Sequence, residues 1–375
     1  MKGAAYDVVI VGAGIVGAAC ALECAREGLR VAVIEAHQIG GGATSAGMGH
    51  LVVMDDSEAQ FALTHYSRSL WHELSAELPR DIEFEACGTI WVAANDEEMA
   101  EVKRKQSFYE ARRVPVEVLD AQSLAEAEPN LRPGLVGGLL VPADSVIYPP
   151  CAARFLIKQA QTHGADLHLG KMVVELTGQG AKLDDGSFIS SGLAVNAAGS
   201  WSPTLTSGLD VQKRKGHLVI TDRYPGFVRH QLVELGYLKS AHSLTTDSVA
   251  FNIQPRATGQ VLIGSSRQYG VEDKQVDGVI LKNMIERACE FMPRLAKLSA
   301  IRVWTGFRAA TPDKLPLIGP CPDRDNLFLA TGHEGLGITT SLGTAKLLVN
   351  QLLQRSSEIP MEPYLPTRVQ EAAHA

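Results

Sequence analysis

No two cysteines in this chain stand as a CxxC pair. The six, Cys20, Cys24, Cys87, Cys151, Cys289 and Cys321, are scattered, which argues against a structural zinc or an iron–sulfur cluster within the chain and for reduced thiols. Basic residues are also in short supply. Lys plus Arg number 35 against 42 Asp plus Glu, a net charge of −7, so no cationic surplus is available to neutralise a nucleic-acid backbone. Long apolar runs are missing as well. The one extended uncharged stretch, Val8–Leu22, follows Asp7 and is broken by three glycines, and a bilayer span needs about 20 apolar residues. It reads as a strand and a helix, neither a transmembrane segment nor a signal peptide. The expectation is a cytoplasmic protein, at most peripheral to the inner face of a membrane. A hydrophobic share of 45% and a charged share of 21% fit an ordinary globular chain, long enough for two packed units.

Asp7-Val8-Val9-Ile10-Val11 reads as a buried strand and runs at once into Gly12-Ala13-Gly14-Ile15-Val16-Gly17. A helical stretch, Ala18–Ala25, and a second strand, Leu29–Ile34, follow, and Glu35 and Ala36 end the unit. Strand, glycine turn, helix, strand and terminal acid form a dinucleotide-binding βαβ unit. Gly12 allows the tight turn, Gly14 the approach of a pyrophosphate, and Gly17 close helix–strand packing. Backbone N–H groups at the helix start face the phosphates. Glu35 would accept from the ribose hydroxyls, favouring FAD or NAD over NADP.

Downstream, Ile39–His50 is rich in glycine: Gly40-Gly41-Gly42-Ala43-Thr44-Ser45-Ala46-Gly47-Met48-Gly49-His50. So many glycines imply that the backbone comes close to something. Helical spacing marks Phe61–Leu78, Met99–Arg113 reads as a charged surface helix, and Cys151–His163 as a third helix. Leu193–Ala197 is a buried strand entering the small turn Ala197-Ala198-Gly199. Alternating patterns between about Gly216 and Ala300, with a helix at Val279–Phe291, suit an antiparallel sheet under a covering helix. The strand Asn326–Ala330 leads into Thr331-Gly332-His333-Glu334-Gly335-Leu336-Gly337-Ile338, which opens a helix running to Leu353.

These motifs, together with Val195–Ser202 and Gly306–Gly319, resemble the D-amino-acid-oxidase superfamily of FAD-dependent amine oxidoreductases over nearly the whole chain. The chain is most similar to the branch of glycine oxidases, sarcosine oxidases and D-hydroxyproline dehydrogenases, and to the last of these above all. The resemblance implies an α/β fold: a Rossmann-like FAD-binding domain with a second, α+β substrate domain built on an antiparallel sheet. It places residues 1–80, 145–215 and 301–360 in the FAD-binding domain, 81–144 and 216–300 in the substrate domain, and 361–375 in a tail.

The resemblance also implies a role for each segment. Ala43–Gly47, with Met48 and Gly49, would pack along the isoalloxazine, and Val173 would pair with the adenine edge. Ala197-Ala198-Gly199 would line the pyrophosphate and ribityl chain. Trp201 lies in the same stretch; it and Trp304 read as core side chains. Gly332 through Ile338 would bring amides to the flavin O2/N1 edge, with His333 either touching that edge or capping the turn.

Arg308, in Gly306-Phe307-Arg308-Ala309-Ala310-Thr311-Pro312-Asp313, matches the residue that holds the substrate carboxylate, a task suited to a planar guanidinium fork. Asp313 reads as a turn residue. His50 would lie near the ring face, and Asn252 stands where glycine oxidases supply a tyrosine to the pocket. Sarcosine oxidases attach FAD through a cysteine at the position of Gly306, so the expected FAD is noncovalent.

The implied reaction moves a hydride from Cα–H of a small amino acid with a free carboxylate to flavin N5, giving an imine. D-Hydroxyproline or D-proline leads; glycine or sarcosine oxidation with O2 is the alternative. Oxygen, a quinone or a protein subunit would take the electrons. The strand Gln260–Gly264 lacks the lysine that some oxygen-using relatives carry, which favours a dehydrogenase. An oligomer or a heteromeric complex is compatible with all of this. Two rivals are an NAD-dependent dehydrogenase and a non-catalytic flavin-binding subunit.

Overall fold

The computed structural model describes residues 5–236 and 247–368. In its first sheet, strands follow the order Leu317–Pro320, Leu327–Thr331, Phe188–Asn196, Tyr6–Val11, Val31–Glu35 and Asp166–Leu169. The last five pair in parallel, and Leu317–Pro320 adds an antiparallel edge. Parallel strands need cover on both faces, which explains why Tyr6–Val11 and Val31–Glu35 carry apolar side chains at consecutive positions. Val8, Ile10, Val31 and Val33 pack under the helices Ile15–Arg26, Pro149–Thr162 and Gly337–Leu352. On the other face, Val9, Val11, Ala32 and Ile34 meet Val173, Leu176 and Ala181 of the small antiparallel strands Val173–Thr177 and Gly180–Leu183.

Among the described residues, the second sheet has nine strands in the order His333–Glu334, Ala300–Ala310, Gln212–Arg223, Gln260–Arg267, Ser248–Pro255, Gln231–Glu234, Thr89–Ala93, Gly137–Val141 and Glu117–Asp120. All neighbours are antiparallel except Gln231–Glu234 and Thr89–Ala93, which run parallel. The helix Gly278–Phe291 covers it, with Asp277 capping its first turn and Phe291 stacked on Phe251 at a centroid distance of 4.5 Å.

Two expectations need correction. The boundary at 215/216 falls inside the strand Gln212–Arg223, and Ala300–Ala310, expected with the cofactor domain, pairs along that strand from Gln212↔Ala310 to Thr221↔Ala300. A long strand hydrogen-bonds along its whole length, and composition does not register where it pairs. The charged helix Asp96–Ala111 lies at the surface as expected, and its inner face buries Val102, Lys105 and Tyr109. Trp201, expected in the core, is 39% exposed. The tail expected at 361–375 is described only as far as Arg368, whose guanidinium pairs with Asp313. Among the described residues, no helix is long and apolar enough to cross a membrane, and no cluster of three or more His, Cys, Asp or Glu side chains could hold a metal ion.

Candidate active site

Strand Tyr6–Val11 ends in a turn that only glycine can make. Gly12 has a φ of +107°, and a Cβ there would lie 2.5 Å from the Ala197 carbonyl oxygen. A Cβ at Gly17 would come within 2.0 Å of the Gly12 carbonyl oxygen, so these two glycines bring the turn, the helix Ile15–Arg26 and the loop after Phe188–Asn196 into contact. The Ile15 amide donates to Thr44 Oγ1 at 3.0 Å, which ties the second glycine loop to the helix start. Glu35 accepts from the Ala13 amide at 2.8 Å and the His37 amide at 2.9 Å, so its carboxylate is fixed at the end of its strand.

One continuous cavity of about 860 Å³ runs from this turn to the second sheet, within the size range of cofactor and ligand sites. Of the residues expected at the cofactor or substrate, all open on it except Gly17 and Ser45. Gly17 lies packed beneath the turn. The Ser45 hydroxyl donates to the carbonyls of Gly41 and Gly42 and so shapes the loop from behind. Trp201 lines the cavity from its exposed position, and Trp304 is partly buried with its Nε1 atom enclosed. His333 is buried, with Nε2 3.0 Å from Thr344 Oγ1, and burial pushes its pKa down to about 3; it opens on the cavity while bracing the turn before helix Gly337–Leu352.

Arg308 opens on the cavity from strand Ala300–Ala310, and its Nη1 donates to the Ser266 carbonyl at 2.9 Å. Among the buried polar atoms of the lining that lack a hydrogen-bond partner are Asn252 Oδ1 and His50 Nε2. Burial, and after it the charge of Arg308, push the His50 pKa down to about 3, so its ring is neutral at ordinary pH. The His50 carbonyl accepts from Thr339 Oγ1 at 2.8 Å, which joins it to the C-terminal helix.

Several lining residues escaped the sequence reading. Arg214 and Arg267 open on the cavity beside Arg308. Glu334 meets them: its Oε1 accepts from Arg214 Nη1 at 2.6 Å and lies 3.8 Å from Arg267 Nε. Burial acts to raise the Glu334 pKa, yet Arg267, Arg308 and Arg214 together hold it down at about 2. His217 is fully buried, with Nδ1 3.0 Å from Ser266 Oγ and Nε2 accepting from the Asp277 amide at 3.0 Å. An accepting Nε2 leaves the proton on Nδ1 and keeps the ring neutral; burial and Lys215 push the same way. Alternation along Gln212–Arg223 put Arg214 and Gly216 on one face, but only the pairing with Arg308 and Gly306 shows that this face is the cavity's.

The lining fits FAD. At Gly14 a Cβ would meet only Thr44 Oγ1, at 3.4 Å, so the backbone is open to a phosphate beside a helix start. The small-residue loop Ala43–Gly49 and the start of helix Gly337–Leu352 line the cavity, and so do Asn252 and His50 with their unpartnered polar atoms. Gly306 has no side chain to bond, and a Cβ there would lie 2.2 Å from Ala46 Cβ.

Comparison with known proteins agrees. The family model described as "DAO: FAD dependent oxidoreductase" matches residues 7–351. A glycine oxidase of Geobacillus kaustophilus is 30% identical over 382 residues, covering 97% of each chain. Its crystal structure superimposes with a TM-score of 0.86 at 28% identity, over 96% of this chain and 98% of that one. The hydrogen cyanide synthase subunit HcnC of Pseudomonas aeruginosa is 27% identical, over 97% of this chain and 96% of its own. The nucleotide turn, the glycine-lined cavity and a match over most of the sequence lead to one conclusion: the chain belongs to the DAO family of FAD-dependent oxidoreductases.

Proposed function

We propose that this protein oxidises the Cα–N bond of a small or cyclic amino acid, D-hydroxyproline or D-proline in first place. The observation that carries the reading is the position of Arg308. Its guanidinium opens on the cavity with one N–H fixed on the Ser266 carbonyl, and Asn252 and His50, each with an unpartnered buried polar atom, line the same cavity. A substrate carboxylate on that fork would be held in one orientation. His50, being neutral, adds no positive charge next to the substrate amine, which must lose its proton before oxidation. Asn252, where glycine oxidases carry a tyrosine, leaves room for a ring and offers a hydrogen-bonding group.

Bound noncovalently, FAD supplies the acceptor for two electrons. The helix start at Gly337 and the residues Gly335 to Ile338 line the same cavity, and their amides would stabilise negative charge on the reduced cofactor. The relative named glycine oxidase supports an amino-acid substrate, and the one named as a subunit supports a partner chain, which would be one electron acceptor. O2 and a quinone are the other acceptors. Replacing Arg308 tests the reading: Arg308→Leu should raise the substrate constant about a hundredfold, the scale of a lost charged hydrogen-bond pair, with flavin content intact. Unchanged saturation in that variant would sink the clamp.

A further inference from the structure

The Arg308 side chain ends on a backbone carbonyl that a regular sheet would spend elsewhere. Strand Gln212–Arg223 pairs with Gln260–Arg267 at Val219↔Ile263 and again, just past the end of the latter, in a bridge at Lys215↔Gln268. The stretch from Ile263 to Gln268 holds one residue more than the stretch facing it, which makes a β-bulge. The Lys215 and Gln268 amides donate to each other's carbonyls at 3.1 and 2.9 Å. Two residues further on, a regular antiparallel ladder would repeat that exchange between His217 and Ser266. Here the His217 amide donates to Ser266 Oγ, at 2.9 Å, and the Ser266 carbonyl accepts from Arg308 Nη1. To reach it the guanidinium crosses strand Gln212–Arg223 over the bare backbone of Gly216.

The Ser266 hydroxyl is held firmly in that role. His217 Nδ1 lies 3.0 Å from it, and because Nε2 accepts from the Asp277 amide, Nδ1 carries the proton and donates. Both lone pairs of the hydroxyl are thereby spent on His217, one on its amide and one on its ring. The ring is anchored in turn at Asp277, whose carboxylate caps the helix Gly278–Phe291 by accepting from the Val279 and Ile280 amides. His217 and Ser266 are both buried, so their polar groups depend on these partners.

We infer that Ser266 and His217 are positioning residues for Arg308. The serine hydroxyl takes the amide that a ladder would give to the Ser266 carbonyl, and the carbonyl is kept for the guanidinium. This role rests on the reading of Arg308 as the carboxylate clamp. With one N–H held on a fixed carbonyl, the fork has a set direction, and the arginine is ordered before a substrate arrives. Without the hydroxyl, the buried His217 amide must find another acceptor, and the ladder places the Ser266 carbonyl in front of it. Arg308 then loses its tether.

Pyrrole-2-carboxylate, a planar acid with no tetrahedral Cα–H to give up, would be titrated into the flavin-loaded enzyme. Binding would be read from the flavin spectrum and from calorimetry. Ser266→Ala should bind it about tenfold more weakly than the wild type, the scale of one net hydrogen bond, with flavin content unchanged. In an Arg308→Leu background the same substitution should change nothing further, because the positioned group is gone. Ser266→Thr, with its hydroxyl kept, should recover most of the loss. His217→Leu, which removes the ring that pins the hydroxyl, should weaken binding about threefold, again only where Arg308 is present; it carries the comparison should Ser266→Ala fail to fold. A loss of equal size in both backgrounds, as a merely structural role would give, overturns the inference. So does wild-type affinity in Ser266→Ala, or no recovery in Ser266→Thr. An Arg308→Leu enzyme that binds the acid as tightly as the wild type contradicts the clamp itself, and the positioning role falls with it.

Discussion

The guanidinium of Arg308 lies across the backbone of Gly216. A Cβ at that position would sit 2.6 Å from Nη1 and 3.1 Å from Cζ. The two residues belong to adjacent strands, and Gly216 itself pairs with Gly306, so the missing side chain makes the space in which the arginine lies. Gly216→Ala should push the guanidinium aside and leave the sheet standing. A charged hydrogen bond contributes about 2 kcal/mol, so the substrate constant should rise about thirtyfold with flavin content and thermal midpoint little changed. Normal saturation in the variant would contradict the role given to Arg308.

Gly306 faces Ala46 in the loop Ala43–Gly49, with no room for a Cβ between them. Ala46 has no flexible end to swing away, so Gly306→Ala must move the backbone of Ala43–Ala46. The expected outcome is a purified variant with most of its flavin lost but its far-ultraviolet circular dichroism kept. Acid denaturation of the wild type should release all flavin from the polypeptide. Retention of flavin on the denatured chain would contradict noncovalent binding.

Acid should destabilise the protein through two histidines. His50 is pushed down to about 3 by burial and by Arg308, and His333 to about 3 by burial. In the unfolded chain each takes up a proton near its ordinary value of 6.5. Both therefore contribute stability that is fully present above pH 6.5 and lost as pH falls towards 3. The thermal midpoint should drop between about pH 6.5 and 4, and His50→Gln and His333→Gln should each flatten that slope. Equal slopes in all three proteins would rule this origin out.

What could be read from sequence and what could not divide along one physical line. Gly12, Gly17 and Glu35 act within one strand–turn–helix–strand unit, so local spacing was enough to find them. The meeting of Arg214, Arg267 and Glu334 depends on pairing among strands far apart in the chain, and no local pattern announces it. Lys105 is similar. Its charge is buried because Asp55 pairs with it and the Trp91 ring lies 4.3 Å away, partners from two other segments. Trp201 failed in the opposite direction: its ring passes over the side-chain-free Gly42, 3.6 Å from where a Cβ would sit, and it stays at the cavity mouth.

Electron transfer from a small amino acid is the central claim, and the anaerobic visible spectrum of the purified holoenzyme tests it most directly. D-Hydroxyproline, D-proline, sarcosine and glycine would each be added separately. Bleaching of the flavin band by the two cyclic D-amino acids, with sarcosine and glycine slower or inert, is the predicted result. A flavin-loaded protein that none of the four reduces would contradict it.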